Sequence, residues 1–257
     1  MSDEPNINVP KILICILSTY ERQGWPTKEL ADWLANLRCN ANYAWQHTFV
    51  HNFIPAASAR NTIAHNFKDC GADWILMIDN DMSPPANLLD SIKDVPADAS
   101  VVVPKFYLWD ETHKSLKLCW GMDTPDIVQG GKPMIRIEEK YYPLNKCGTG
   151  AIFIRPKVFQ EIKPPWFWYT YDEMLAMTAT EDINFALKVL EHGFKIYGWG
   201  GCTVGHHHTV NLAVLASLLY DKTSETPECP SGVSVDRGES HPSSDPTSTT
   251  AIPNESR

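Results

Sequence analysis

The sequence predicts an α/β fold with a mostly parallel central sheet and helices on both faces. Short apolar runs (residues 11–18 and 74–78) alternate with amphipathic stretches (27–37 and 58–68) through the first half of the chain, an order that builds βαβ units. Hydrophobic residues make up 43% of the 257, enough for a sizeable core, and the 21% charged is ordinary. The second half reads as more β-rich and mixed.

Residues 11–18 are continuously apolar, as a buried strand is. Residues 27–37 place Leu30, Trp33, Leu34 and Leu37 at helical spacing, with Thr27 as the cap. Residues 42–53 alternate as a strand does. Ser58 is the expected cap of a helix running to about Lys68, with Ile63, Ala64 and Phe67 inward, and Gly71 ends it. Residues 74–78 form the next strand. Pro84 and Pro85 open a helix through Leu88, Leu89 and Ile92. Strands are expected at 100–107, at 116–120 and 134–138 around the Gly130-Gly131 turn, and at 148–155, followed by a short helix at 156–162. Residues 181–192 are an amphipathic helix stopped at Gly193. Residues 194–199 are a strand, and 211–220 a last helix. After Tyr220 the chain is Ser, Thr, Pro and acid, a composition that buries no core and reads as disordered. The expected division is one domain at 1–220, with a donor half at about 11–107 and an acceptor half at about 108–220, and a tail at 221–257.

The net charge is −9, which argues against a nucleic-acid partner. The tail, with seven acids against three bases, supplies −4 of it. Seven cysteines without a CxxC pair disfavour zinc and fit a reducing compartment. The polar, acidic start Met1-Ser2-Asp3-Glu4-Pro5 is unlike a signal peptide. No apolar stretch approaches the roughly 20 residues a bilayer span needs. The expectation is a soluble, cytoplasmic protein.

Asp79-Asn80-Asp81 follows the apolar run 74–78. Residues two apart in a strand share a side, so the two carboxylates can converge. Converging carboxylates repel unless a cation sits between them, and oxygen donors suit Mg²⁺ or Mn²⁺. In parallel sheets, ligands bind beyond the carboxyl ends of strands. The alternative is a plain turn at a strand end.

Three segments together resemble the GT-A fold glycosyltransferases of the inverting family 2 type. They are Ala59-Arg60-Asn61-Thr62-Ile63-Ala64 leading to Asp79-Asn80-Asp81, then Cys147-Gly148-Thr149-Gly150, then Thr180-Glu181-Asp182-Ile183-Asn184-Phe185 leading to Val204-Gly205-His206. The resemblance implies a GT-A type sheet with a mixed β acceptor side. It also implies a nucleoside diphosphate sugar donor, a UDP-sugar, and an acceptor hydroxyl on a glycan, lipid-linked or protein acceptor. Asp81 and Asp79 would hold Mn²⁺ or Mg²⁺, with Asp79 alternatively on the sugar or ribose. His206 would be the third ligand, with His208 its alternate on the same face and His207 the least suited. Thr19, Tyr20, Arg60, Asn80, Gly148, Thr149 and Gly150 would line the donor. Asp182 would be the general base and Glu181 its neighbour that orients the acceptor or caps the helix. The aromatic run Pro164-Pro165-Trp166-Phe167-Trp168-Tyr169 suits either an acceptor platform or core packing.

Two other readings compete. A sugar-phosphate nucleotidyltransferase would carry a Gly-rich, basic loop after the first strand, and residues 17–26 hold one glycine and one arginine. A non-catalytic nucleotide-sugar or carbohydrate binder would lack the metal ligands or Asp182, and all are present.

Overall fold

The computed structural model describes residues 9–18, 26–37, 42–51, 55–110, 115–122, 128–129, 132–133 and 137–207. All of them lie in one compact unit, Met1–Thr209. Thr19, Tyr20, His208, the 211–220 helix and the tail fall outside the described residues.

A seven-stranded sheet forms the centre. Its strands are β1 (Lys11–Ser18), β2 (Ala44–His51), β3 (Trp74–Asp79), β4 (Ala99–Lys105), β5 (Tyr141–Pro143), β6 (Ala151–Ile154) and β7 (Lys195–Thr203). In space they run β5-β7-β4-β6-β3-β1-β2. The pairs β1–β2, β1–β3 and β4–β7 are parallel, while β6 opposes both neighbours and β5 opposes β7. This is the mostly parallel sheet the sequence predicts. Ile14, Ile16, Ile75, Leu76, Met77 and Ile78 are fully enclosed within it, because central parallel strands are covered on both faces and tolerate no polar alternation.

Among the described residues four α-helices accompany it: α1 (Lys28–Leu37), α2 (Ala56–Phe67), α3 (Pro156–Glu161) and α4 (Glu181–Glu191). The β1-α1-β2 and β2-α2-β3 crossovers travel in opposite directions along the sheet. Right-handed crossovers therefore place α1 and α2 on opposite faces. Leu30, Trp33, Leu34 and Leu37 are all buried, and the Thr27 hydroxyl accepts from Leu30 N at 3.2 Å as a cap does.

Three expectations change. Helix α2 starts at Ala56 after Pro55, so Ser58 lies inside it and caps nothing. Proline's set φ suits that entry better than a hydroxyl one turn later. Residues 88–92 form only a short 3₁₀ helix, with Leu88, Leu89 and Ile92 buried. Of the strand expected at 134–138, residues 134–136 lie outside the described residues, and Ile137 and Glu138 are not in a strand. A short antiparallel pair joins Val128–Gln129 to Lys132–Pro133.

Candidate functional site

Strands β1 and β3 are neighbours, yet β1 leads to β2 on one side and the chain then returns past β1 to β3. Such a reversal opens a crevice at the carboxyl ends of the strands. Asp79 is the last residue of β3. Antiparallel β6 begins at the same edge, so the Gly148-Thr149-Gly150 loop arrives there too, and Asp79 N donates to Gly150 O at 2.9 Å.

The turn after β3 is stitched down by its backbone. Asn80 is buried, its N–H donates to Leu17 O at 2.9 Å, and its carbonyl accepts from Thr27 N at 2.8 Å. Asn80 thus acts through main-chain bonds that join β1, β3 and α1. The two-residue strand Met82–Ser83 pairs antiparallel with Gly205–His206, and His207 N donates to Asp81 O at 2.9 Å. A Cβ on Gly205 would stand 3.0 Å from Ser83 Cβ, so glycine permits this close pairing. The ribbon sets His206 Nε2 at 3.3 Å from Asp81 Oδ2, with the two side chains 14% and 13% exposed. His207 instead meets Ser83 Oγ at 2.6 Å and Glu29 Oε2 at 3.5 Å.

Asp79 and Asp81 engage different partners. The strand ends at Asp79, so the two-residue periodicity no longer governs the turn that carries Asp81. Asp79 faces Arg60, whose Nη2 lies 2.8 and 3.1 Å from its two carboxylate oxygens. Arg60 Nη1 reaches Glu181 Oε1 at 3.1 Å, and Nη2 also reaches Thr149 O at 3.3 Å. The Arg60 side chain is 2% exposed, and its Nε has no hydrogen-bond partner. A guanidinium this enclosed is held by paired charge. It therefore gathers the Asp79 turn, the Gly148–Gly150 loop and the start of α4.

Glu181 and Asp182 open α4. Tyr169 also hydrogen-bonds Glu181, and burial followed by the Glu181 charge pushes its phenol up to about 12. Asp182 Oδ1 accepts from Thr180 Oγ1 and from Ile183 N at 2.8 Å. The charge of Asp182 reaches Cys119, where burial first and Asp182 second push the thiol up to about 12. Cys147 is raised by the same causes. Helix α4, which Asp182 opens, packs against Lys146–Cys147. A Cβ on Gly148 would meet Phe106 Cζ at 2.8 Å and Cys119 Cβ at 3.1 Å, so its missing side chain serves close packing.

The aromatic run divides. Trp166 and Phe167 are core, with Phe167 stacked on Phe185 at 4.3 Å. Trp168 and Tyr169 are half-buried, and Lys188 lies over the Trp168 ring at 5.2 Å. Two residues without a sequence assignment hold the run. Asn61 donates to Phe167 O at 2.6 Å and accepts from Trp166 N and Phe167 N at 2.9 and 3.1 Å. Asn184 donates to Trp168 O at 2.8 Å and Thr170 Oγ1 at 3.0 Å. An asparagine inside each motif was the available signal. The run continues into a hairpin, Thr170–Tyr171 with Met177–Ala179. That hairpin exposes Tyr171, Met174, Leu175 and Met177.

A carboxylate and an imidazole held together are donors that suit a divalent ion such as Mn²⁺, and Asp81 with His206 fit that chemistry. Among the described residues, no three His, Cys, Asp or Glu side chains form a metal-binding group. A cavity of about 370 Å³ lies at the opposite edge of the sheet, lined by residues such as Lys11, Ala44, Trp45 and Gly71. It holds no acid and has no part in this constellation.

No sequence family matches the chain, and no curated protein matches it by sequence. Among solved structures it is similar to A197 from STIV, at 17% identity and TM-score 0.55, over 77% of this chain and 86% of that one. This likeness shows a shared fold. A weaker match is GalNAc-T7 with UDP, GalNAc and Mn²⁺, at 14% identity and TM-score 0.43, over 81% of this chain and 45% of that one. Another is CMP:2-keto-3-deoxy-manno-octonic acid synthetase with CTP, at 11% identity and TM-score 0.43, over 84% and 99%. Among the described residues no helix is long and apolar enough to cross a membrane.

Proposed function

We propose that this chain is a metal-dependent glycosyltransferase that moves a sugar from a nucleoside diphosphate sugar, of the UDP type, to an acceptor hydroxyl with inversion. One observation carries the reading. Arg60 bridges Asp79, two residues before the Asp81 that faces His206, to Glu181, the neighbour of Asp182, where strand β3 ends beside the point at which the connections reverse.

Asp81 and His206 would hold Mn²⁺ or Mg²⁺. When bound there, the ion would neutralise charge on the departing diphosphate. Asp182 takes the proton of the acceptor hydroxyl as that oxygen attacks the anomeric carbon. The bond from that carbon to the diphosphate oxygen breaks on the opposite face, and its electron pair leaves with the nucleoside diphosphate. Glu181, held by Arg60 and Tyr169, is fixed beside the base. Trp168 and Tyr169 offer the acceptor half-exposed rings.

The test is a screen of nucleoside diphosphate sugars with Mn²⁺, comparing wild type with Asp81→Ala and Asp182→Asn. Release of nucleoside diphosphate, abolished by Asp81→Ala, is the expected result. Pyrophosphate formed from a nucleoside triphosphate and a sugar phosphate would instead mark a nucleotidyltransferase. Binding without turnover would mark a carbohydrate or nucleotide-sugar binder. Full transfer by Asp182→Asn would remove Asp182 as the base.

A further inference from the structure

Each acidic motif presents two carboxylates in close sequence, and one arginine takes the first of each. Arg60 binds Asp79 of Asp79-Asn80-Asp81 and Glu181 of Glu181-Asp182. The second members, Asp81 and Asp182, face His206 and the Thr180 hydroxyl. Building on the metal-site reading above, we propose that Arg60 is a positioning residue that withholds Asp79 from the metal. Asp81 and His206 are then the metal pair, and the same guanidinium sets the base-bearing helix against the donor end.

The geometry opposes the other roles open to Arg60. It is 2% exposed, with both terminal nitrogens engaged. Reaching a donor diphosphate would break ion pairs to two carboxylates and leave buried charge unpaired. Asp79 keeps lone pairs that could in principle meet a cation. A guanidinium within 3.1 Å of both its oxygens repels a divalent ion approaching the same carboxylate. Asp81 faces the His206 imidazole at 3.3 Å, a group that can itself ligate metal. Lysine would not serve in place of Arg60, because one ammonium cannot bridge two carboxylates in a fixed fork.

The test is Mn²⁺ titration of the full chain with UDP present, followed by calorimetry or by the free-Mn²⁺ resonance signal. Arg60→Gln removes the repulsion and releases Asp79, so Mn²⁺ should bind about tenfold tighter. The charge-balanced double variant, Arg60→Gln with Asp79→Asn, should return to within about threefold of wild type. Asp81→Asn should weaken binding by about tenfold or more. If the double variant loses as much affinity as Asp81→Asn, Asp79 is a ligand and the proposal is wrong. Weaker Mn²⁺ binding by a folded Arg60→Gln would also overturn it. Should the Arg60 variants fail to fold, Asp79→Asn alone decides: its loss must be clearly smaller than that of Asp81→Asn. A wild-type protein that binds no Mn²⁺, with or without UDP, removes the metal reading itself. Mn²⁺ binding with the wrong order of variants removes only the role given to Arg60.

Discussion

Asp81 and His206 stand 3.3 Å apart although 125 residues separate them in the chain. The two-residue pairing of Met82–Ser83 with Gly205–His206 and the bond from His207 N to Asp81 O bring them together. Their roles stand or fall as a pair. Asp81→Ala and His206→Ala should each cut Mn²⁺-dependent donor turnover by about a hundredfold or more, since metal stabilisation of a leaving group is worth several kcal/mol. His207→Ala should not, because His207 faces Ser83 and Glu29. Turnover measured across a Mn²⁺ titration checks this.

Asn61 makes three hydrogen bonds to the backbone of Trp166 and Phe167. Replacing it with alanine leaves those groups unpaired, and stability should fall by about 1–3 kcal/mol. Urea unfolding reads the loss. Mn²⁺ affinity should be unchanged, because the bonds of Asn61 go to the Trp166–Phe167 backbone.

Gly148 is packed against Phe106 and Cys119. Gly148→Ala should destabilise by about 1–3 kcal/mol through overpacking. Phe106→Leu removes the ring atom that the new methyl would strike. The double variant should therefore be more stable than the sum of the single losses predicts, with a coupling of about 0.5 kcal/mol or more. Strict additivity would show that the clash relaxes elsewhere.

Alkaline pH should weaken the fold. Tyr169 and Cys119 are each pushed up to about 12, from ordinary values of 10 and 9, with burial the leading cause. For a group raised on folding, the native state holds its proton longer than the unfolded chain. Its contribution is whole below the unfolded value and declines as pH rises through the folded one. The denaturation midpoint should therefore fall between about pH 9 and pH 12, and Tyr169→Phe should flatten that slope above pH 10. A midpoint independent of pH across that window would contradict it.

Much of this was legible in the chain. The strands announce themselves because β1 and β3 are enclosed on both sides and must be continuously apolar. Helix α1 does so because one face alone is buried. Both are local consequences of burial, and periodicity carries them. The motifs were legible as candidates only, since acids also suit a turn at a strand end and the start of a helix. Less legible were the bonds of Asn61 and Asn184. An asparagine's partner depends on which backbone passes it, and here that backbone lies 105 residues away or more for Asn61.

The same division holds for the two aspartates. By itself the sequence determined the α/β class, the strand that delivers Asp79, and the acids and histidine available to a site. Tertiary structure decided how they are shared: Asp81 with His206, and Asp79 with Arg60 and through it Glu181. The physical reason is that the apolar pattern marking a buried strand or helix face is written in neighbouring residues of the chain. Pairing of charges depends instead on which strand ends the sheet order sets side by side, and on where β3 stops and its alternation with it.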